Sequence, residues 1–443
     1  MSRENFIPAI AALASDFDKQ ADTAWLSDYR RQQNALLQQS DFPHSRVEHF
    51  KYNNLAVFDQ QDFGKIAKIK PHSEDLTLDL RLIDGFSDRE KTDRIVFVNG
   101  QYSATLSYIR HHRITCFADS NAVQRKKIIT MLGQQDLTHN PFILLNAALT
   151  HQGVLVEIDE NSPEMPIEVM TIVKPGAKNT TTATQVLFDV TDNAKATVIG
   201  RTISWDVKQQ EAALSTVRTV VNVGKQASFT HYHLQLENPH SVHFGSIEYN
   251  LHTAAKLNAF YAATGGHLKK IDITVNHLGR HTYAGLNGLY VATDKQQVDY
   301  YTNVNHRLPN GKTDENFRGI INGSAKGVFN GRIHIYPDAQ KTLAELSNKN
   351  LLLSNDATVH TKPELEIYAD DVVCSHGATV SSIDSESLYY LLARGISKTE
   401  AELMLSFGFF NEILAKLDNQ SIADYIRPIL FKRFEDVMRG NRE

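Results

Sequence analysis

The sequence predicts a mainly β protein, a β-solenoid held between an N-terminal and a C-terminal helical region. Three observations predict it. A polar turn, a small residue and a new strand recur along the middle of the chain. No long helical pattern interrupts that run between about residue 155 and residue 384. Apolar residues at helical spacing occur only toward the two ends.

The elements follow in order. Near the start Trp25, Tyr29, Gln32 and Leu36 fall at helical spacing, and Phe42-Pro43-His44 breaks the pattern. A mixed region runs to about residue 145, where Ile95-Val96-Phe97-Val98 reads as a strand entering an Asn99-Gly100 turn. Beyond Leu155, short strands such as Val186–Val190, Ala196–Ile199 and Thr219–Val223 alternate with polar turns. Asn-Gly pairs at 287, 310, 322 and 330 read as further turns. The recurring turn starts at Asp192, Gly224, Thr253, Gly279, Asp294, Gly323, Pro337 and Ser354, with most separations near multiples of about 15 residues. A strand-turn unit of this kind cannot bury its inner face alone and must stack on its neighbours. A β-sandwich also spaces short strands regularly, but a run of this length is less expected of one sandwich domain.

Glu386 to Ala393 reads as a helix ended by Gly395, and Ser397-Lys398-Thr399-Glu400 as a capping box opening the next. On that helix Leu403, Phe407, Phe410, Leu414 and Leu417 form one apolar stripe, suited to capping the solenoid or docking a partner. Ile422, Tyr425, Ile426, Ile429 and Leu430 mark a third helix, which Pro428 is expected to kink or split. The expected domains are 1–145, helical and mixed; 146–384, the β core; and 385–443, helical.

The chain has 443 residues, with 46 Lys or Arg against 51 Asp or Glu, a net charge of −5. No basic field favours nucleic acid as a partner. Cys116 and Cys374 are the two cysteines, too few in this length for a disulfide framework, which fits a reducing compartment. The apolar run Ile7 to Ala14 falls short of the roughly 20 residues of a spanning helix, contains Pro8 and lacks the basic lead of a signal peptide. A cytoplasmic protein with no membrane contact is expected.

Gly311-Lys312-Thr313 ends like a phosphate-binding loop, but that loop needs glycine at position 306, where histidine stands. No other nucleotide fingerprint occurs, so the chain is not read as an ATPase. Gly319, Gly323, Gly327 and Gly331 are interrupted by Arg318, Asn322 and Lys326, and read as turns between stacked strands. Histidines are dense from His231 to His281. His231 and His233 would share a strand face, yet no third ligand completes a metal site, and they read as surface or rung-packing residues. The sharpest local feature is Cys374-Ser375-His376-Gly377. On a strand Cys374 and His376 share one face, and thiolate with imidazole suits iron or zinc. Two ligands alone do not hold an ion, so the others must come from elsewhere, another chain included. A Cys–His nucleophile pair and a simply packed thiol are the alternatives.

The stretch from Phe317 to Leu414 resembles the SufD family, scaffold subunits of the SUF system for iron–sulfur cluster assembly. The matching residues are Phe317-Arg318-Gly319-Ile320, Gly327-Val328-Phe329-Asn330-Gly331-Arg332-Ile333, Ala339-Gln340-Lys341-Thr342 and Asn350-Leu351-Leu352-Leu353-Ser354. They continue through Lys362-Pro363-Glu364-Leu365-Glu366-Ile367-Tyr368-Ala369-Asp370-Asp371-Val372, Cys374-Ser375-His376-Gly377-Ala378-Thr379-Val380 and Arg394-Gly395-Ile396. Near the start, Arg46-Val47-Glu48-His49-Phe50-Lys51-Tyr52 looks like the family's Arg-x-Glu-x-Trp-Lys-Tyr segment, with Phe50 in place of tryptophan. Ser381 stands where the family usually has glycine, and Lys269, after Gly265-Gly266, near where arginine is common.

The resemblance implies a right-handed parallel β-helix flanked by helical regions, in agreement with the repeat. It implies a non-catalytic scaffold, pairing with SufB through the β-helix edges and docking the ATPase SufC on the C-terminal helices. It also implies that His376, with Cys374 beside it, holds a nascent iron–sulfur cluster or its iron at the SufB–SufD interface. No cluster would be bound stably by the isolated chain, and reduced flavin would belong to the complex. A SufB-like paralogue is the nearest alternative, disfavoured by the low cysteine count. A β-helix polysaccharide lyase or hydrolase is the enzyme alternative, disfavoured by the missing aspartate-rich motif. The sequence leaves open whether the isolated chain is a homodimer.

Overall fold

The structure, a computed structural model, describes residues 3–19, 21, 23–66, 92–173, 180–205, 212–264, 266–417 and 419–440. Two sheets run side by side and each is almost wholly parallel. The first climbs from Gly153–Ile158 through Thr180–Val190, Leu214–Val223, Val242–Leu251, Leu268–His277, Gln297–His306 and Lys326–Ile335 to Thr358–Ile367. The second climbs from Asp93–Val98 through Ile167–Val173, Lys195–Ser204, Ser228–Leu236, Lys256–Thr264, Tyr283–Ala292, Lys312–Ile321 and Thr342–Leu352 to Val372–Ser382. Consecutive strands alternate between the sheets, so the chain winds as a parallel β-solenoid with two strands per coil. The N-terminal region contributes the strand Asp93–Val98 to it.

The sequence repeat of about 15 residues is one strand with its corner, or half a coil. The corners explain why the repeat centres on polar and small residues. Asn193, Gln226, Ala254, His281, Asp294, Asn310, Lys341 and Gly323 all take positive φ. Each corner also bonds to the next. Asn193 N donates to Lys225 O at 2.9 Å, Gln226 N to Thr253 O at 2.9 Å and Ala254 N to Arg280 O at 2.8 Å. The left-handed turn is thus a third ladder beside the two sheets, which offsets the strain of placing an alanine there.

Inside the coils, alternate residues fill a continuous apolar lumen that includes Ile247, Tyr249, Ile271, Ile273, Tyr290, Tyr300, Phe317 and Phe329. Of the four Asn-Gly pairs, Asn310-Gly311 and Asn322-Gly323 are turns, but Asn287-Gly288 and Asn330-Gly331 lie inside strands. The same correction applies to Gly319 and Gly327, which also lie inside strands. The reason is lumenal crowding. A Cβ at Gly288 would lie 2.1 Å from the Phe317 ring, and one at Gly319 would lie 2.4 Å from the Tyr290 ring.

Helices cover the outer faces. Helices α1 (Arg3–Asp18), α2 (Ser27–Gln38), α3 (Val57–Gln60), α4 (Ala122–Leu132) and α5 (Pro141–Ala148) belong to the N-terminal region. Their aromatic cluster of Phe6, Phe58 and Phe142 meets the first sheet at Phe244, which stacks on Phe142 at 3.7 Å. Helices α6 (Ser385–Ala393), α7 (Lys398–Leu414) and α8 (Gln420–Gly440) follow the last strand. Gly395 ends α6 at φ +83°, and Ser397 caps α7 by accepting from Glu400 N. Helix α8 runs through Pro428 without a break. Ile422, Ile426 and Leu430 are buried on either side of the proline, and their packing holds both halves together. Among the described residues, no helix is long and apolar enough to cross a membrane.

Candidate functional site

The two ends of the solenoid differ. At the N-terminal end each sheet stops in a short antiparallel strand, Gln101–Tyr102 or Arg113–Cys116. Short edge strands offer little backbone for further pairing. At the C-terminal end the sheets stop in Thr358–Ile367 and Val372–Ser382, of 10 and 11 residues, each paired on one side only. The last coil therefore presents two long rows of backbone donors and acceptors. Pro363, in the middle of one row, fits an edge strand, where a missing N–H breaks no ladder on its free side.

Cys374 and His376 lie on the last strand, opposite Ala344 and Leu346 of the strand before it. Ala344 and Leu346 are lumenal, so Cys374 and His376 both face the open mouth of the lumen. The expected shared face is thus present. Cys374 is half-buried against the lumenal core, as are Val359, Leu365 and Val372, and burial raises its thiol pKa. At neutral pH it is a thiol and must lose a proton to bind a metal. His376 is exposed and makes no hydrogen bond among the described residues, leaving its ring nitrogens available. Nothing lies within 4 Å of where a Gly377 Cβ would sit, so the space beside it is open. Val373, Val380, Ile367 and Tyr368 add exposed apolar surface around the mouth. Ser381, on the same strand, reaches Asn350 O at 3.4 Å with its hydroxyl.

The α7 stripe is turned inward. Phe410 and Leu414 are buried on the outer face of the second sheet with Ile199, Tyr232, Leu234, Phe260, Leu289 and Ile320. Leu403, Phe407 and Leu417 pack against the same cluster. Arg318 fastens the helix further, donating to Phe409 O at 2.9 Å and pairing with Glu412 at 2.7 Å. The apolar residues that α6 and α7 leave at the surface are Tyr389, Tyr390, Leu392 and Met404. The stripe's periodicity marked a buried face, and the complementary exposed face had no sequence signal of its own.

Of the central histidines, His231, His233, His243 and His277 are buried between rungs, whereas His240, His252 and His281 are exposed. His231 bonds Tyr249 Oη at 2.6 Å, and burial lowers its pKa to about 3. His277 stacks on His306 at 4.0 Å, and both bond Thr313, the threonine of the loop-like Gly-Lys-Thr triplet. His243 bonds Ser215 and pairs with Glu237, which Lys269 also pairs at 2.6 Å. Gly265 lies outside the described residues.

Sequence reasoning gave the Arg46–Tyr52 segment no structural role. It lies along the outer face of the first sheet. His49 bonds Asp272, Tyr52 stacks on His360 at 4.1 Å, and Glu48 pairs with Lys362 at 2.7 Å on the edge strand. The segment thus reaches the same end of the solenoid as Cys374 and His376. Its only signal in the sequence was the motif itself.

A family described as "SUF system FeS cluster assembly, SufBD core domain" matches residues 172–409. That match spans the solenoid from its second sheet to α7. The chain belongs to the SufBD family. It is 28% identical to the iron–sulfur cluster assembly protein SufD of Escherichia coli over 401 residues, covering 88% of this chain and 89% of that one. It is 25% identical to SufD of Bacillus subtilis over 452 residues, covering 95% and 97%. It is also 27% identical to a SufBD family protein of Synechocystis over 403 residues, covering 88% and 87%.

Proposed function

We propose that this SufBD-family protein acts in iron–sulfur cluster assembly as a non-catalytic scaffold subunit. It pairs edge to edge with a SufB-type solenoid and carries a SufC-type ATPase on its C-terminal helices. The observation that carries the reading is the long uncapped edge with Cys374 and His376 facing its open mouth. An unpaired edge of this length exposes backbone that a second solenoid can satisfy. His376 supplies an imidazole to the nascent cluster or its iron, which is cargo here, and ligands from the partner complete the set. Cys374 is secondary because its thiol is protonated and half-buried. For the ATPase the surface proposed is Tyr389, Tyr390 and Met404, since the stripe from Leu403 to Leu417 is occupied by the second sheet.

Co-expression with SufB and SufC partners tests the reading. A stable complex that assembles a cluster under anaerobic reconstitution supports it. A chain that stays alone in their presence refutes it.

A further inference from the structure

The structure assigns a divalent transition-metal site to His49, His139 and Asp272, on the outer face of the first sheet and away from the open mouth. One ligand atom from each of the three lies within 4.8 Å of the other two. An ion with bonds of about 2.1 Å sets its ligand atoms roughly 3.0–3.4 Å apart, so small side-chain shifts suffice. Two imidazoles and a carboxylate suit zinc, cobalt(II) or iron(II).

Each ligand comes from a different part of the fold, and Asp272 and His49 are held in place. Asp272 stands on the strand Leu268–His277 and is buried. His49 sits in a short 3₁₀ turn, Glu48–Phe50, anchored by buried Phe50. Its Nε2 lies 2.8 Å from Asp272 Oδ2, and its ring meets His139 at 5.3 Å and Tyr301 at 4.5 Å. His139 immediately precedes Asn140, which caps α5 by accepting from Phe142 N. Asn140 also donates to Asp272 Oδ2 at 2.7 Å, fixing the carboxylate. A hydrogen-bonded carboxylate and a packed His49 imidazole are supports of the kind that metal ligands need.

Among the described residues, Lys270 is the cation that faces this cluster closely, 3.5 Å from Asp272 and 3.3 Å from Asp299. It is shared between two carboxylates, so the patch keeps a negative excess before an ion arrives. Asp272 Oδ1 is buried without a hydrogen bond. With His49 in its Nδ1–H tautomer, the Nε2 lone pair faces the ion. His139 is exposed and gives the ion its entry side. A bound ion would staple the Arg46–Tyr52 segment and the start of α5 to the solenoid.

The test is cobalt(II) titration of the untagged full-length chain carrying Cys374→Ala and His376→Ala, so that the open mouth cannot contribute. One equivalent is expected to bind with visible ligand-field bands. His139→Ala, at an exposed position, should weaken that binding about 10–100-fold while leaving the circular dichroism unchanged. His139→Cys should restore binding and add a thiolate-to-cobalt charge-transfer band. Absence of stoichiometric binding overturns the proposal, and so does binding that His139→Ala leaves unaltered. Neither result depends on whether the chain serves cluster assembly, because no partner or cluster is in the assay.

Discussion

Replacing His376 by alanine separates function from stability. The side chain is exposed and carries no hydrogen bond among the described residues, so its removal should shift unfolding free energy by less than about 0.5 kcal/mol. Cys374 differs, being half-buried against the lumenal core. Trimming it to alanine should cost roughly 1 kcal/mol. Because the thiol is only partly buried, Cys374→Ser should be milder than at a sealed site, where the hydroxyl would lack a partner. Burial raises the thiol pKa, so the thiolate is the minor form at pH 7. Urea denaturation of each variant measures the stability terms. Anaerobic cluster reconstitution with the SufB and SufC partners measures function, read by cluster absorbance per complex. His376→Ala should lower the yield at least tenfold, and Cys374→Ala should keep most of it. Normal yield from His376→Ala refutes the site. Equal, severe loss from both refutes the ranking and makes the thiolate a working ligand.

Three further outcomes follow from the geometry. Lys269 sits in the interior with its ammonium on Glu237 Oε2, Gln235 O and Thr264 O, so Lys269→Met should cost about 3–5 kcal/mol, with Glu237→Gln recovering part in the double variant; a single-variant loss under about 1 kcal/mol in urea counts against this. Burial pushes Glu315 up to about 7, so the folded state holds its proton where the unfolded chain has released it. Its stability contribution is full below the unfolded pKa near 4.3 and falls as pH rises to about 7, by about 3 kcal/mol relative to Glu315→Gln, so a pH-independent gap between the two proteins refutes the assignment. Tyr389→Asp with Tyr390→Asp should leave the fold intact and weaken ATPase capture at least tenfold in a pull-down, whereas unchanged capture moves the docking surface elsewhere.

The solenoid was legible because its signal is local. Each corner needs a residue that tolerates positive φ, and the polar turns from Asp192 to Gly323 announce those corners one at a time. Which Asn-Gly pairs turn was not legible. Asn287-Gly288 differs from Asn310-Gly311 in having the Phe317 ring beside it on the neighbouring strand of the same sheet, a contact made one coil away. The α7 stripe read correctly as an apolar face, but its partner is set by where the helix lies, and the second sheet takes it. Cys374 and His376 were found together because period two is a property of any strand. That they face an open mouth depends on the strand being the last, with Thr342–Leu352 on one side and solvent on the other. The set of His49, His139 and Asp272 spans more than 200 positions of chain and had no spacing to betray it.

In a stacked repeat, each coil is secured mainly by the neighbours it touches. Interior coils have two, and the coil formed by Thr358–Ile367 and Val372–Ser382 has one. Its amides should therefore exchange with solvent at a lower opening free energy than those of Leu268–His277. Fraying can begin there without disturbing the rest of the stack. Cys374 and His376 accordingly occupy the segment able to loosen and close again on its own, which under the function proposed above would suit the capture and release of a cargo.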